Sequence, residues 1–165
     1  MSVSARRKYL SHYLGEMRRR FSLGLAALRV MILPGLGPRP KRLVVAPTDL
    51  HAADPFIADE IAEGRFPLAG RLLETRGYSP FAVELPSKEF AGRLHSFSWL
   101  RHVRATKSDE RYAVARRITD EWIATHGRRI TGIAWDPDVT AQRIIAWLSH
   151  STVILKNADV RFYRR

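Results

Sequence analysis

Residues 34–40 read Pro-Gly-Leu-Gly-Pro-Arg-Pro, and no helix or strand can run through them. Each proline lacks a backbone donor and fixes φ, and it pushes the residue before it out of the helical region. The sequence therefore predicts two parts joined by a stiff, extended linker at 34–41. At 165 residues in all, the longer part has room for one compact domain with a core of its own, and not for several.

Before the linker, Leu10, Leu14, Met17, Phe21, Leu25, Leu28 and Ile32 recur every three or four positions, which predicts an amphipathic helical arm over 1–33. Charge is concentrated there. Residues 1–45 hold ten Lys and Arg against Glu16 alone, whereas residues 46–165 hold eighteen against fifteen acids, so most of the net charge of +12 belongs to the arm. Such an arm suits an anionic membrane surface or nucleic acid. The nearly balanced body and the lack of a base-reading motif disfavour nucleic acid. The longest apolar run, Leu23 to Leu33, contains Gly24 and Arg29 and is too short and too polar to span a bilayer. Arg29 and the absence of a small-residue cleavage site favour a retained helix over a cleaved signal or transit peptide. The chain has no cysteine, which excludes disulfide scaffolds, zinc knuckles and thiol nucleophiles.

After the linker the pattern is mainly α with a few short extended pieces. Arg42 to Ala46 reads as extended. Asp54 can cap a short helix with Pro55 at its first position and Gly64 at its exit. Phe66 to Leu73 and Pro80 to Leu85 read as extended pieces interrupted by Gly70, Gly77 and Pro80. Three helices are expected beyond them: one from the cap Ser87 to about Ala105, one from Ser108 to Gly127, and one starting at Asp136 with Pro137.

Few residues stand out as chemistry. The sequence has no phosphate-binding glycine loop, dinucleotide loop, zincin helix or nucleophile elbow, and no cofactor is implied. His95 and His102, seven apart on one expected helix, invite a metal or acid/base reading. No third ligand is spaced to join them and arginines share the helix, so a solvated basic face or a hydrogen-bonded structural histidine is preferred. Asp136 and Asp138 are preferred as helix-start residues accepting backbone N–H bonds over a catalytic carboxylate pair. Trp99, Trp122 and Trp147 fall on apolar helix faces and read as core; Trp135, just before a helix start, is open to either a core or a groove position.

Three blocks together resemble the N-terminal part of bacterial heparinase II/III family proteins: Gly64 to Arg71, Leu94 to Arg101, and Gly132 to Pro137 followed by Arg143, Ile144, Trp147 and Leu148. The resemblance covers about 42–165. It implies the start of an incomplete (α/α) toroid of helical hairpins, a cell-envelope setting, and β-elimination on an acidic, uronate-containing polysaccharide. It also implies Trp135 and Arg143 as substrate contacts, a sugar-facing ring and a carboxylate-facing guanidinium, with pairing of Arg143 to Asp136 or Asp138 as the structural alternative. The family's catalytic Asn-Asn-His block is absent, since Asn157 is the sole asparagine, and no match to its catalytic tyrosine or histidine is present. On this resemblance the chain is expected to be an N-terminal segment of a longer lyase-like protein, inactive alone.

Overall fold

A computed structural model describes residues 3–32 and 45–163. The chain divides into two compact units, Met1–Arg42 and Leu43–Arg165. The first unit is the helix α1 (Val3–Ile32), on which Leu14, Met17, Phe21, Leu25 and Leu28 are exposed. Glu16 pairs with Arg19 at 3.0 Å and Arg20 at 3.1 Å along its surface. No helix of the described residues is long and apolar enough to cross a membrane. The expected linker at 34–41 lies outside the described residues, as does most of the expected extended piece at 42–46; Val45 and Ala46 have no regular structure.

The second unit opens with α2 (Pro55–Ala62). The Asp54 carboxylate accepts the Phe56 N–H at 2.9 Å, and Pro55 occupies a position whose N–H would have no partner anyway. Gly64, at φ +80°, turns the chain into strand β1 (Arg65–Leu68). A β-carbon on Gly64 would meet the Thr75 hydroxyl oxygen at 2.6 Å. Strand β2 (Arg71–Glu74) returns antiparallel, with Phe66 opposite Leu73 and Arg65 opposite Glu74. Between them Ala69 and Gly70 both have positive φ, the backbone that lets a two-residue turn follow the strand twist. The expected extended piece at 66–73 is thus a hairpin. Pro80 to Leu85, by contrast, forms turns and bends, with Phe81, Val83 and Leu85 packed against the core.

The expected helix from Ser87 to Ala105 is two helices, α3 (Lys88–His95) and α4 (Leu100–Thr106). Its start is as read, the Ser87 hydroxyl accepting the Phe90 N–H at 3.1 Å. The break falls at 96–99, where Phe97 takes φ +57° and the Ser96 hydroxyl donates to the Arg93 carbonyl at 3.0 Å. The reason is burial. Residues two apart on a continuous helix face opposite ways, yet Phe97 and Trp99 are 0% and 1% exposed, with rings 5.3 Å apart. Breaking the helix lets both enter one core.

Helix α5 (Asp109–His126) starts where the Ser108 hydroxyl accepts the Arg111 N–H. A 3-10 turn at Ile133–Trp135 leads into α6 (Pro137–Ser149), then α7 (Ser151–Leu155) and α8 (Val160–Tyr163). Asp136 precedes α6 as expected, but its carboxylate makes no capping bond; its carbonyl accepts the Thr140 N–H at 2.8 Å instead. α4 and α5 pack on α2, α7 on α5, and α6 on α3 and the 3-10 turn. Between these layers lies an aromatic-rich core around Phe66, Phe90, Phe97, Trp99 and Trp122. The unit is mainly helical, with one two-stranded sheet among the described residues.

Candidate functional site

The two residues expected to contact a ligand meet inside the molecule. Arg143 is 2% exposed, and its guanidinium lies over the rings of Trp122 at 4.1 Å and Trp135 at 5.0 Å. It donates to the carbonyls of Ala134 at 2.6 Å and His95 at 3.2 Å, and to the Thr140 hydroxyl at 3.3 Å. No ion pair to Asp136 or Asp138 forms. Burial lowers the Arg143 pKa to about 10, so the group stays charged at neutral pH, held by carbonyl dipoles and π faces. Trp135 is half-buried and donates its indole N–H to the His126 carbonyl at 2.9 Å.

His95 and His102 lie on different helices, with different partners. His95 is 4% exposed, accepts the Trp122 indole N–H at 3.0 Å, and stacks on Phe81 at 5.5 Å. Burial, then the nearby His126 and Arg143, lower its pKa to about 4. His102 accepts the backbone N–H of Asp54 at 2.9 Å, tying α4 to the start of α2. Among the described residues no group of histidines and carboxylates is arranged to hold a metal ion.

A different part of the second unit presents an open site. A groove of about 510 Å³ runs between the α3–α4 break, the segment 47–51 and α6, bounded by Arg93, Ser98, Arg101, Leu50, Ile145 and His150. At its floor Asp49 is enclosed by donors: the His51 ring at 2.7 Å, the His51 backbone N–H at 3.0 Å, the His150 ring at 3.1 Å and Arg101 at 3.5 Å. Burial pushes the Asp49 pKa up, but the His51 bonds, the Arg101 charge and the His150 bond outweigh it and hold it at about 2. A carboxylate only accepts, so both rings donate to it. His150, 2% exposed, then gives its Nε2 proton to the bond, and its buried Nδ1 has no partner. Burial, only partly offset by Asp49, lowers its pKa.

The rim differs from the floor. Arg93 is exposed and makes no ion pair among the described residues. Arg101 uses its Nε on the Ser98 carbonyl at 2.9 Å, leaving its two terminal amino groups without a hydrogen bond. Beside the groove, α6 exposes Ala141, Ile144, Ile145 and Leu148 at helical spacing, with Ile144 and Ile145 52% and 59% exposed. A second concavity of about 540 Å³ mixes Arg116, Arg117 and Arg161 with Asp120 and Asp159 and is mostly polar. Sequence reasoning took Arg93 and Arg101 only as arginines sharing a helix with His95 and His102, and singled out none of Asp49, His51 or His150. The Asp-Leu-His step at 49–51 is the nearest thing to a local signal, and its partner His150 lies 101 residues away.

The chain is 32% identical over 108 residues to FtsZ-localized protein C of Caulobacter vibrioides, a match covering 65% of this chain and 18% of that protein. The chain thus spans less than a fifth of the length of the curated relative it matches. It matches no known family profile and no solved structure.

These findings correct the resemblance to heparinase II/III proteins. The relative is named for localisation with FtsZ, and nothing supports a polysaccharide lyase, a uronate-containing polysaccharide partner or the rest of a lyase chain. The function expected of the chain, in its lyase form and in the form of a small basic protein acting through residues 1–42, gives way with it. The three blocks carry general folding grammar. Gly64 to Arg71 is a helix exit and a hairpin turn, Leu94 to Arg101 is a helix break lined by core aromatics, and Trp135-Asp136-Pro137 starts a helix whose arginine is buried.

Proposed function

We propose that this chain is a docking module of a bacterial cell-division assembly that associates with FtsZ. The observation that carries the reading is the 108-residue match, at 32% identity, to an FtsZ-localized protein. Its surface supports it. An apolar stripe on α6 beside a groove edged by the unpaired Arg93 and by Arg101 has the composition of a protein-binding patch, apolar at its centre and polar at its edge.

In this reading Trp135 and Arg143 act from beneath the surface. The Arg143 guanidinium joins α6 to the end of α3 and to the 3-10 turn, and so fixes how the α6 stripe is presented. As an architectural proposal, α3 to α7 form one arc of an open helical array of the toroid type, which the successive packing of α3, α6, α7 and α5 supports. That architecture brings no lyase chemistry with it.

The test is localisation. A fluorescent fusion of the full chain, expressed in cells carrying a second label on FtsZ, is expected to concentrate where FtsZ does. A fusion that is intact, soluble and evenly distributed overturns the reading.

A further inference from the structure

We propose that the groove between the α3–α4 break and α6 receives an acidic peptide segment bearing apolar side chains, supplied by a partner protein. The inference rests on the reading of this chain as a docking module and names the chemistry of what docks. Three features fix that chemistry. The groove, at about 510 Å³, has the size of a site that takes a few side chains. Its walls are apolar where Leu50, Ile145 and Ala146 line it, and the α6 stripe through Ile144 and Leu148 extends that apolar surface along the helix. Its rim is cationic, with Arg93 unpaired and with Arg101, which meets Asp49 through its Nε at 3.5 Å, keeping terminal amino groups that make no hydrogen bond among the described residues.

Asp49 does not oppose such a ligand. Its two oxygens are already taken by His51, His150 and Arg101, so Arg101 balances the negative charge at the floor and Arg93 leaves a positive charge unspent at the rim. Charge also excludes one obvious occupant. The N-terminal arm of a second copy, with ten basic residues and one acid in residues 1–45, would bring like charge to Arg93 and Arg101. A single phosphate would satisfy the arginines but leave the apolar wall uncovered.

The probe is a fluorescein-labelled amphipathic peptide with leucine on one face and glutamate on the other, measured by anisotropy against the full-length protein. Two controls carry lysine for glutamate and serine for leucine. The glutamate–leucine peptide is expected to bind at least about tenfold more tightly than either control, and to weaken as salt rises. Arg93→Glu is expected to weaken it by a further factor of about ten and to improve binding of the lysine peptide. Ile145→Asp is expected to abolish the leucine dependence. Both positions are exposed and Arg93 is unpaired, so circular dichroism should show both variants folded.

Equal binding of the acidic and basic peptides, or variants that bind like the wild type, overturns the inference. A serine peptide that binds as tightly as the leucine one makes the groove a general anion site and overturns it too. Peptide binding is read apart from localisation with FtsZ, so a diffuse fusion with selective peptide binding refutes the division reading alone. Localisation without peptide selectivity refutes the groove alone.

Discussion

Arg143 brings a full charge into the core with no carboxylate to meet it. Three acceptors and three indole faces offset its lost hydration, so removing it leaves two backbone carbonyls unpaired and a cavity beneath Trp122. Arg143→Leu is expected to destabilise the second unit by about 3 kcal/mol in urea denaturation. Arg143→Lys should recover less than half of that loss, because an ammonium cannot serve both carbonyls while lying flat on an indole. The buried ionisable groups also set the response to acid. The folded pKa of His95 lies below its unfolded value, so its contribution is present above about pH 6.5 and is lost as pH falls towards 4. Asp49, depressed to about 2, contributes stability present above about pH 4 and lost as pH falls towards 2, on the order of 2 kcal/mol. Urea midpoints recorded against pH should show two descending limbs, the upper one flattened by His95→Gln and the lower one by Asp49→Asn. At this scale the sequence marked Trp99 and Trp122 as core through their helical spacing. It could not mark Asp49 or His150, whose meaning lies in a pairing across 101 residues.

Helix starts are local events, and they are where the elements agree best with the sequence. Ser87, Ser108 and Asp54 each accept an N–H within their own first turn, and a helix needs no tertiary partner to make that bond. The division of α3 from α4 had no such signal, because the pull of Phe97 and Trp99 into one core acts from outside the segment. Gly64 joins the two cases, a local left-handed exit at which an added β-carbon would also meet Thr75 across the hairpin. Gly64→Ala is expected to cost about 2 kcal/mol, measured by thermal unfolding. In a Thr75→Ala background the added cost should fall to about 1 kcal/mol, the part due to φ alone. An unchanged cost in that background would place all of the strain in the backbone.

For the molecule as a whole, the separation into Met1–Arg42 and Leu43–Arg165 predicts that residues 43–165 fold by themselves. Calorimetry on that fragment should give an unfolding midpoint within about 2 °C of the cooperative transition of the full chain; loss of the transition would show that the arm is part of the folding unit. The groove belongs to this scale, since it is made from the segment 47–51, the α3–α4 break and α6, and no window of sequence contains it. The same scale explains how the motif blocks misled. Gly64 and Pro137 were read correctly as a helix exit and a helix start, but the hairpin turn and the break at 96–99 were not read, and such grammar recurs across unrelated helical proteins, whereas the match to an FtsZ-localized protein runs along 108 residues. By itself the sequence determined the helical character of the body and the starts of α2, α3, α5 and α6, because spacing and capping act over a few residues. Tertiary structure alone decided that Arg143 is interior, that Asp49 is enclosed by two histidines and Arg101, and that the unpaired Arg93 stands beside the apolar face of α6. Those outcomes depend on which distant groups share a low-dielectric space, and that is settled only when the chain packs.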